Sequence, residues 1–179
     1  MLLRLRNLFK SGPRNSDKAL EELSYMLWQE VEKPTYRRDF LKPQLLDFSP
    51  ESLRHIDDYL ECIHQQRPED DDLLRVVLRV GAYVGEVIRR LSPGEYRWVA
   101  FAEAARHSRM IADLGMGLGT SAVLWKDRDR FHFPLAKVCK FVENGREDSV
   151  HFFVHVILSL DKGVPGVGFD DDERGRVGA

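Results

Sequence analysis

The sequence predicts an α+β fold, mainly helical, with a central buried helix and a small antiparallel sheet of short strands. Three observations lead there. Residues 72–91 are apolar on more than one face, as in a helix that has neighbours all round. Segments before and after that run carry single apolar stripes at helical spacing, bounded by caps and prolines. Between 96 and 133 lie short aromatic and alternating stretches separated by glycine, proline and charge.

Taken in order, Ser11-Gly-Pro-Arg-Asn-Ser16 reads as a linker, and Ser16 as the cap of a helix near Asp17 to Val31. Leu20, Leu23, Leu27 and Val31 form its stripe, with Trp28 beside it, and Pro34 stops it. Ser49-Pro50-Glu51 starts the next helix: a capping hydroxyl, proline at the first helical position, an acid in the first turn. Leu53, Ile56, Leu60 and Ile63 are its inner face, and it ends near Gln65. The acids Glu69 to Asp72 open the central helix, where negative charge suits the positive end of the helix dipole.

Ser92-Pro-Gly94 is a turn, and Tyr96 to Phe101 a strand. Glu103 to Leu114 is ambiguous, and Gly115 to Gly119 reads as a loop. Ala122 to Trp125 and Phe131 to Phe133 are extended, with a polar turn between them. Pro134 to Glu143 is helical and ends at Asn144-Gly145, where glycine can take a positive φ. Glu147 to Leu160 is the last helix, with Val150, Phe153, Val154, Ile157 and Leu158 inward. The organisation expected is a flexible basic arm over 1–15, a single α+β domain over 16–160, and a flexible acidic, glycine-rich tail over 161–179.

The 179 residues suit one domain, and 43% hydrophobic content supports a core. The net charge of -2 argues against bulk electrostatic binding of nucleic acid. The first fourteen residues carry four basic groups and no acid, leaving 23 basic against 29 acidic in the rest. This arm could lie on a membrane surface, but one short arm binds only marginally, so membrane contact is not expected. The remainder holds no continuous apolar run long enough to span a bilayer. Cys62 and Cys139 are far apart and outside any CxxC, which points to two ordinary thiols in a reduced, cytoplasmic setting.

Gly81 and Gly85 are four apart inside the central helix, each costing about 1 kcal/mol relative to alanine. Something must approach the backbone closely there: a helix, a strand or a ligand. Glu86 follows the second glycine on a helix predicted to be buried, and a buried carboxylate needs a partner. Arg89, Arg97, Lys137 and Lys140 are the candidates. Tyr83, Glu86 and Trp98 could line a binding pocket; the plainer reading is a structural ion pair.

Gly115-Met-Gly-Leu-Gly119 has the wrong order of elements for a phosphate loop, helix before and strand after, and lacks Gly-Lys-Ser/Thr. His151 and His155 share a helical face and could ligate one metal, with His132 or Cys139 as a third ligand, but no HExxH is present. Two ordinary histidines are the commoner explanation, and no metal site or cofactor is expected. No serine sits in a GxSxG elbow, and no catalytic residue can be named.

Gly81-Ala-Tyr-Val-Gly-Glu86, Tyr96-Arg-Trp98, the segment from Pro134 with Lys137 and Lys140 to Asn144-Gly145, and Asp148-Ser149 together resemble a pattern in small bacterial proteins of unknown function. The resemblance covers the second half of the chain. It implies a bacterial cytoplasmic α+β domain, and some proteins of this general kind are immunity or accessory factors beside toxins and secretion systems.

The leading expectation is therefore a non-enzymatic protein-binding module, immunity-like or regulatory, whose partner could be basic and meet the acids at 69–72 or 170–173. Self-association is compatible with the sequence. The alternatives are a small-ligand-binding domain or unrecognised hydrolase with a pocket near Gly81 to Glu86 and Trp98, and a peripheral membrane protein using its N-terminal arm.

Overall fold

A computed structural model describes residues 13–92, 96–127 and 130–162. The expectations for the arm over 1–10, the turn at Pro93-Gly94 and the acids at 170–173 lie outside these residues. Seven α-helices and a three-stranded antiparallel sheet make up the described chain.

Helix α1 spans Pro13–Tyr25. It begins earlier than the linker reading allows, with Pro13 at its first residue, where a missing amide costs nothing. Ser16 is thus inside the helix and buried rather than its cap. The helix also stops well before Pro34. Ser24 Oγ donates to the Glu21 carbonyl (2.6 Å), and the chain turns through 26–28. Thr35 Oγ1 then donates to the Leu27 carbonyl (2.8 Å), taking up an acceptor at the frayed end. Arg79, buried on the central helix, fastens this return by donating to Thr35 Oγ1 (3.0 Å) and the Lys33 carbonyl (2.7 Å).

Helix α2 spans Ser52–Gln66, so Pro50 and Glu51 lie in the turn before it rather than in its first turn, and Ser49 Oγ accepts the Ser52 amide (3.1 Å). Helix α3 spans Asp70–Leu91, and every residue from Val76 to Ile88 is buried. It packs against α1, against α6 (Pro134–Asn144) and against α7 (Val150–Asp161), so the central position holds. The two helix glycines are explained by two different neighbours. A Cβ on Gly81 would lie 2.9 Å from Leu135 Cα of α6. A Cβ on Gly85 would lie 2.0 Å from the indole of Trp98.

Strands β1 (Arg97–Ala100), β2 (Ala122–Asp127) and β3 (Arg130–His132) pair in chain order. Trp98 lies opposite Leu124 and faces the helical core; their neighbours Val99 and Val123 face the other way. That second face is covered by two short helices, α4 (Phe101–His107) and α5 (Arg109–Leu114), broken at Ser108. The ambiguous segment is thus helical, and the sheet has a core on each side.

The glycine loop after α5 is closed on itself. Thr120 Oγ1 accepts the Gly117 amide (2.8 Å) and donates to the Gly115 carbonyl (2.8 Å). Helix α5 precedes it and β2 follows, the order that excludes a phosphate cradle at a helix N-terminus. Gly145 ends α6 with φ 82°, a conformation that favours glycine, and its amide reaches the Phe141 carbonyl (2.7 Å). Helix α7 runs through Asp161, one residue into the segment read as tail.

Candidate functional site

Glu86 is fully buried (0% exposed), on the side of α3 that faces α1 and β1. One of its oxygens, Oε1, accepts two charge-assisted or aromatic N–H donors: Arg89 Nε (2.8 Å) and Trp98 Nε1 (2.9 Å). The other, Oε2, accepts no hydrogen bond among the described residues; Arg90 Nε stands 3.7 Å away. Burial pushes the Glu86 carboxyl above its ordinary range, and Arg89, the Trp98 hydrogen bond and Arg90 pull the other way without cancelling it.

Asp17 completes the join between α1 and the sheet. Its Oδ1 accepts the Trp98 backbone amide (2.7 Å) and Arg89 Nη1 (3.2 Å). Arg90 lies over the Phe48 ring, 3.6 Å from its centroid, and donates to the Tyr25 hydroxyl (3.0 Å). Between α1, the end of α3 and β1 these side chains wall an open cleft of about 590 Å³, with Glu21, Tyr96 and Arg97 on its margin.

The predicted pocket residues separate in space. Glu86 lines this cleft, and Trp98 holds its inner oxygen from behind. Tyr83 belongs elsewhere. It stacks on Phe48 at 4.6 Å, and its hydroxyl accepts the Phe48 amide (3.0 Å) and bonds Ser52 Oγ (2.7 Å). The positions beside the two glycines are filled by Leu135 and Trp98, so the cleft lies next to them rather than at them.

Lys137 and Lys140 do not reach Glu86. Lys137 Nζ bonds Asp148 Oδ1 (2.7 Å), and Asn144 Nδ2 bonds Asp148 Oδ2 (2.7 Å). Hydrogen bonds from Asn144 and Lys137 hold the Asp148 carboxyl below its usual range, with Lys140 adding a weaker attraction. Ser149 Oγ caps α7 by accepting the Phe152 amide (3.0 Å). Lys137, Asn144 and Asp148 thus brace the turn between α6 and α7, while Arg146 bonds Asp58 on α2 (2.7 Å).

Two carboxylates that sequence reasoning passed over are buried here as well. Asp57 on α2 accepts Ser149 Oγ (2.6 Å) and the Val150 amide (2.8 Å). Asp161, at the end of α7, gathers Ser92 Oγ, Lys126 Nζ (3.0 Å) and Arg130 Nη1 (3.0 Å). Burial raises the Asp161 carboxyl, but bonds from Ser92 and Lys126 outweigh it and leave it below the ordinary value. Tyr96 OH bridges towards this cluster, 2.9 Å from His132 Nε2.

His151 and His155 sit on α7, half-buried and exposed, and no group of three or more potential ligands forms among the described residues. Cys62 and Cys139 are free thiols, and burial pushes the Cys139 thiol up to about 11. At the acidic start of α3, Asp72 is engaged by Arg75. No described helix is long and apolar enough to cross a membrane.

A second surface emerges on α7, which is apolar on both faces. Val150, Val154, Ile157 and Leu158 are buried inward as expected. Phe152 (62% exposed), Val156 (38%) and Leu160 (57%) form an outer stripe at i, i+4, i+8. No charged residue lies between Ser149 and Leu160.

Comparison of the chain with family models, with curated proteins and with solved structures gave no match in any of the three.

Proposed function

We propose that this chain is a non-enzymatic protein-binding module, immunity-like or regulatory, that meets an apolar surface of its partner through the outer face of α7. The observation that carries the reading is the exposed stripe of Phe152, Val156 and Leu160. Large side chains left in water forgo about 25 cal/mol per Å² of burial. Contiguous apolar patches of this kind mark interaction sites more often than isolated exposed residues do. The absence of charge along the stripe favours an apolar counterpart, with any charge complementarity confined to the rim.

The test is site-specific photo-crosslinking of the full chain in its native cells, with the crosslinker at position 156 and, as control, at exposed Gln65. One stoichiometric partner captured at 156 only, and lost in the Phe152→Asp/Leu160→Asp double variant, is the expected result. A partner retained by the double variant removes α7 from the interface. A crosslink to a second copy of the chain replaces this reading with a homodimer contact.

A further inference from the structure

The cleft beside Glu86 carries an inference independent of the protein-binding reading. Its volume, about 590 Å³, lies within the range of small-ligand sites. Its three guanidinium groups are already committed. Arg89 is held by Glu86 Oε1, Asp17 Oδ1 and, at 3.4 Å, the Tyr96 carbonyl. Arg90 lies on Phe48, bonds Tyr25, and pairs with Glu86 Oε2 at 3.7 Å and Glu21 Oε1 at 3.6 Å. Arg97 lies over the Trp125 ring (4.4 Å to the centroid) and pairs with Glu103 at 3.3 Å.

The unused capacity is therefore that of an acceptor. Glu86 Oε2 is buried and, beyond its 3.7 Å ion pair with Arg90, accepts no hydrogen bond among the described residues, an arrangement that normally costs free energy unless a donor completes it. The Glu86 side chain is 1% exposed, while those of Asp17 and Glu21 are 32% and 44% exposed. The three acids thus run from the floor of the cleft to its rim. An anion entering here would compete with carboxylates for arginines already held. A compact N–H donor with positive charge would instead complete Glu86.

We propose that the cleft binds the ammonium group of a small primary amine, with Glu86 Oε2 as the acceptor on its floor and Asp17 and Glu21 drawing the cation in at the rim. Arg90, one-third exposed and already stacked on Phe48, yields the space in front of Oε2 by sliding over that ring. A planar guanidinium is a poorer fit, because it would lie against Arg90 with like charge.

The experiment is calorimetric titration of the full chain with n-propylammonium chloride, with sodium chloride and sodium propionate as controls. One saturable site for the amine is expected, and none for propionate. Glu86→Gln keeps the shape but replaces the free oxygen with an NH₂ donor, and should weaken binding about 10–100-fold, the worth of a hydrogen bond to a charged group. Glu21→Lys reverses charge at the exposed rim, where Glu21 pairs with Arg90 at 3.6 Å. It should also weaken binding, with the loss shrinking at high salt. Asp148→Asn, on the α6–α7 link, should leave affinity unchanged. An absent amine isotherm, affinity retained in both Glu86→Gln and Glu21→Lys, or saturable propionate binding each overturns the proposal.

Discussion

Asp57 and Glu86 are carboxylates withdrawn from water in two different parts of the molecule, and they are used unequally. Asp57 reaches from α2 to the first turn of α7, where Ser149 Oγ and the Val150 amide occupy both of its oxygens. Glu86 spends one oxygen on two donors and leaves the other buried without a hydrogen bond among the described residues. The first arrangement is complete and closes a helix end. The second retains capacity and faces a cleft. Burial alone therefore does not separate a structural acid from one available to a ligand; the count of satisfied oxygens does.

The comparison can be broken most forcefully at Gly85. A Cβ there would meet the Trp98 indole, and that same indole fixes Glu86 Oε1. Gly85→Ala should destabilise by about 1–3 kcal/mol or more through overpacking, and should displace the donor as well. Urea unfolding together with loss of near-UV dichroism measures both. An unchanged midpoint would mean that the indole does not fill that slot.

Asp57→Ala comes next. It removes a side chain that caps α7 and leaves the Val150 amide buried without its acceptor. A loss of about 1–3 kcal/mol is expected, read from the same unfolding curves. A neutral result would make Asp57 dispensable and dissolve the contrast with Glu86.

Glu86→Gln should be the mildest of the three near neutral pH, and its signature is a slope. The folded-state value of Glu86 lies above its ordinary 4.5 because burial disfavours the charge. Its favourable contribution is then fully present below about 4.5 and is lost as pH rises through the folded-state value. The stability of Glu86→Gln minus that of the parent chain should accordingly climb across that window. A flat difference would mean that Arg89 and Arg90 fully offset the burial.

Much of the Glu86 side of this contrast is legible in the sequence because it is local. Gly81 and Gly85 announce close approach, and Arg89 lies one helical turn beyond Glu86. The mainly helical α+β class follows equally from the apolar central run and the short strands. The Asp57 side is not legible, because its partners lie more than ninety residues away and an acid on an exposed-looking face gives no sign of them. Asp17 and Asp161 were hidden for the same reason.

Tyr83 illustrates a different limit. Its position on the buried helix was readable, but its hydroxyl is taken by Phe48 and Ser52 in the core rather than by a pocket. The outer stripe of α7 shows a third. The inward face of α7 was readable from its spacing, but Phe152, Val156 and Leu160 are apolar as well, so nothing in the sequence showed that they would be left in water. Lys137 and Lys140 lie close to Asp148 along the chain, yet only the turn at Gly145 brings them to it.

The contact between Gly85 and Trp98 has a spectroscopic consequence. The indole N–H of Trp98 is sealed against the α3 backbone and donated to a carboxylate. Among the chain's three tryptophans it should therefore give a downfield-displaced proton resonance and the slowest deuterium exchange. Any event that redistributes charge on Glu86 would move that one peak, giving the protein a resident probe of its own cleft.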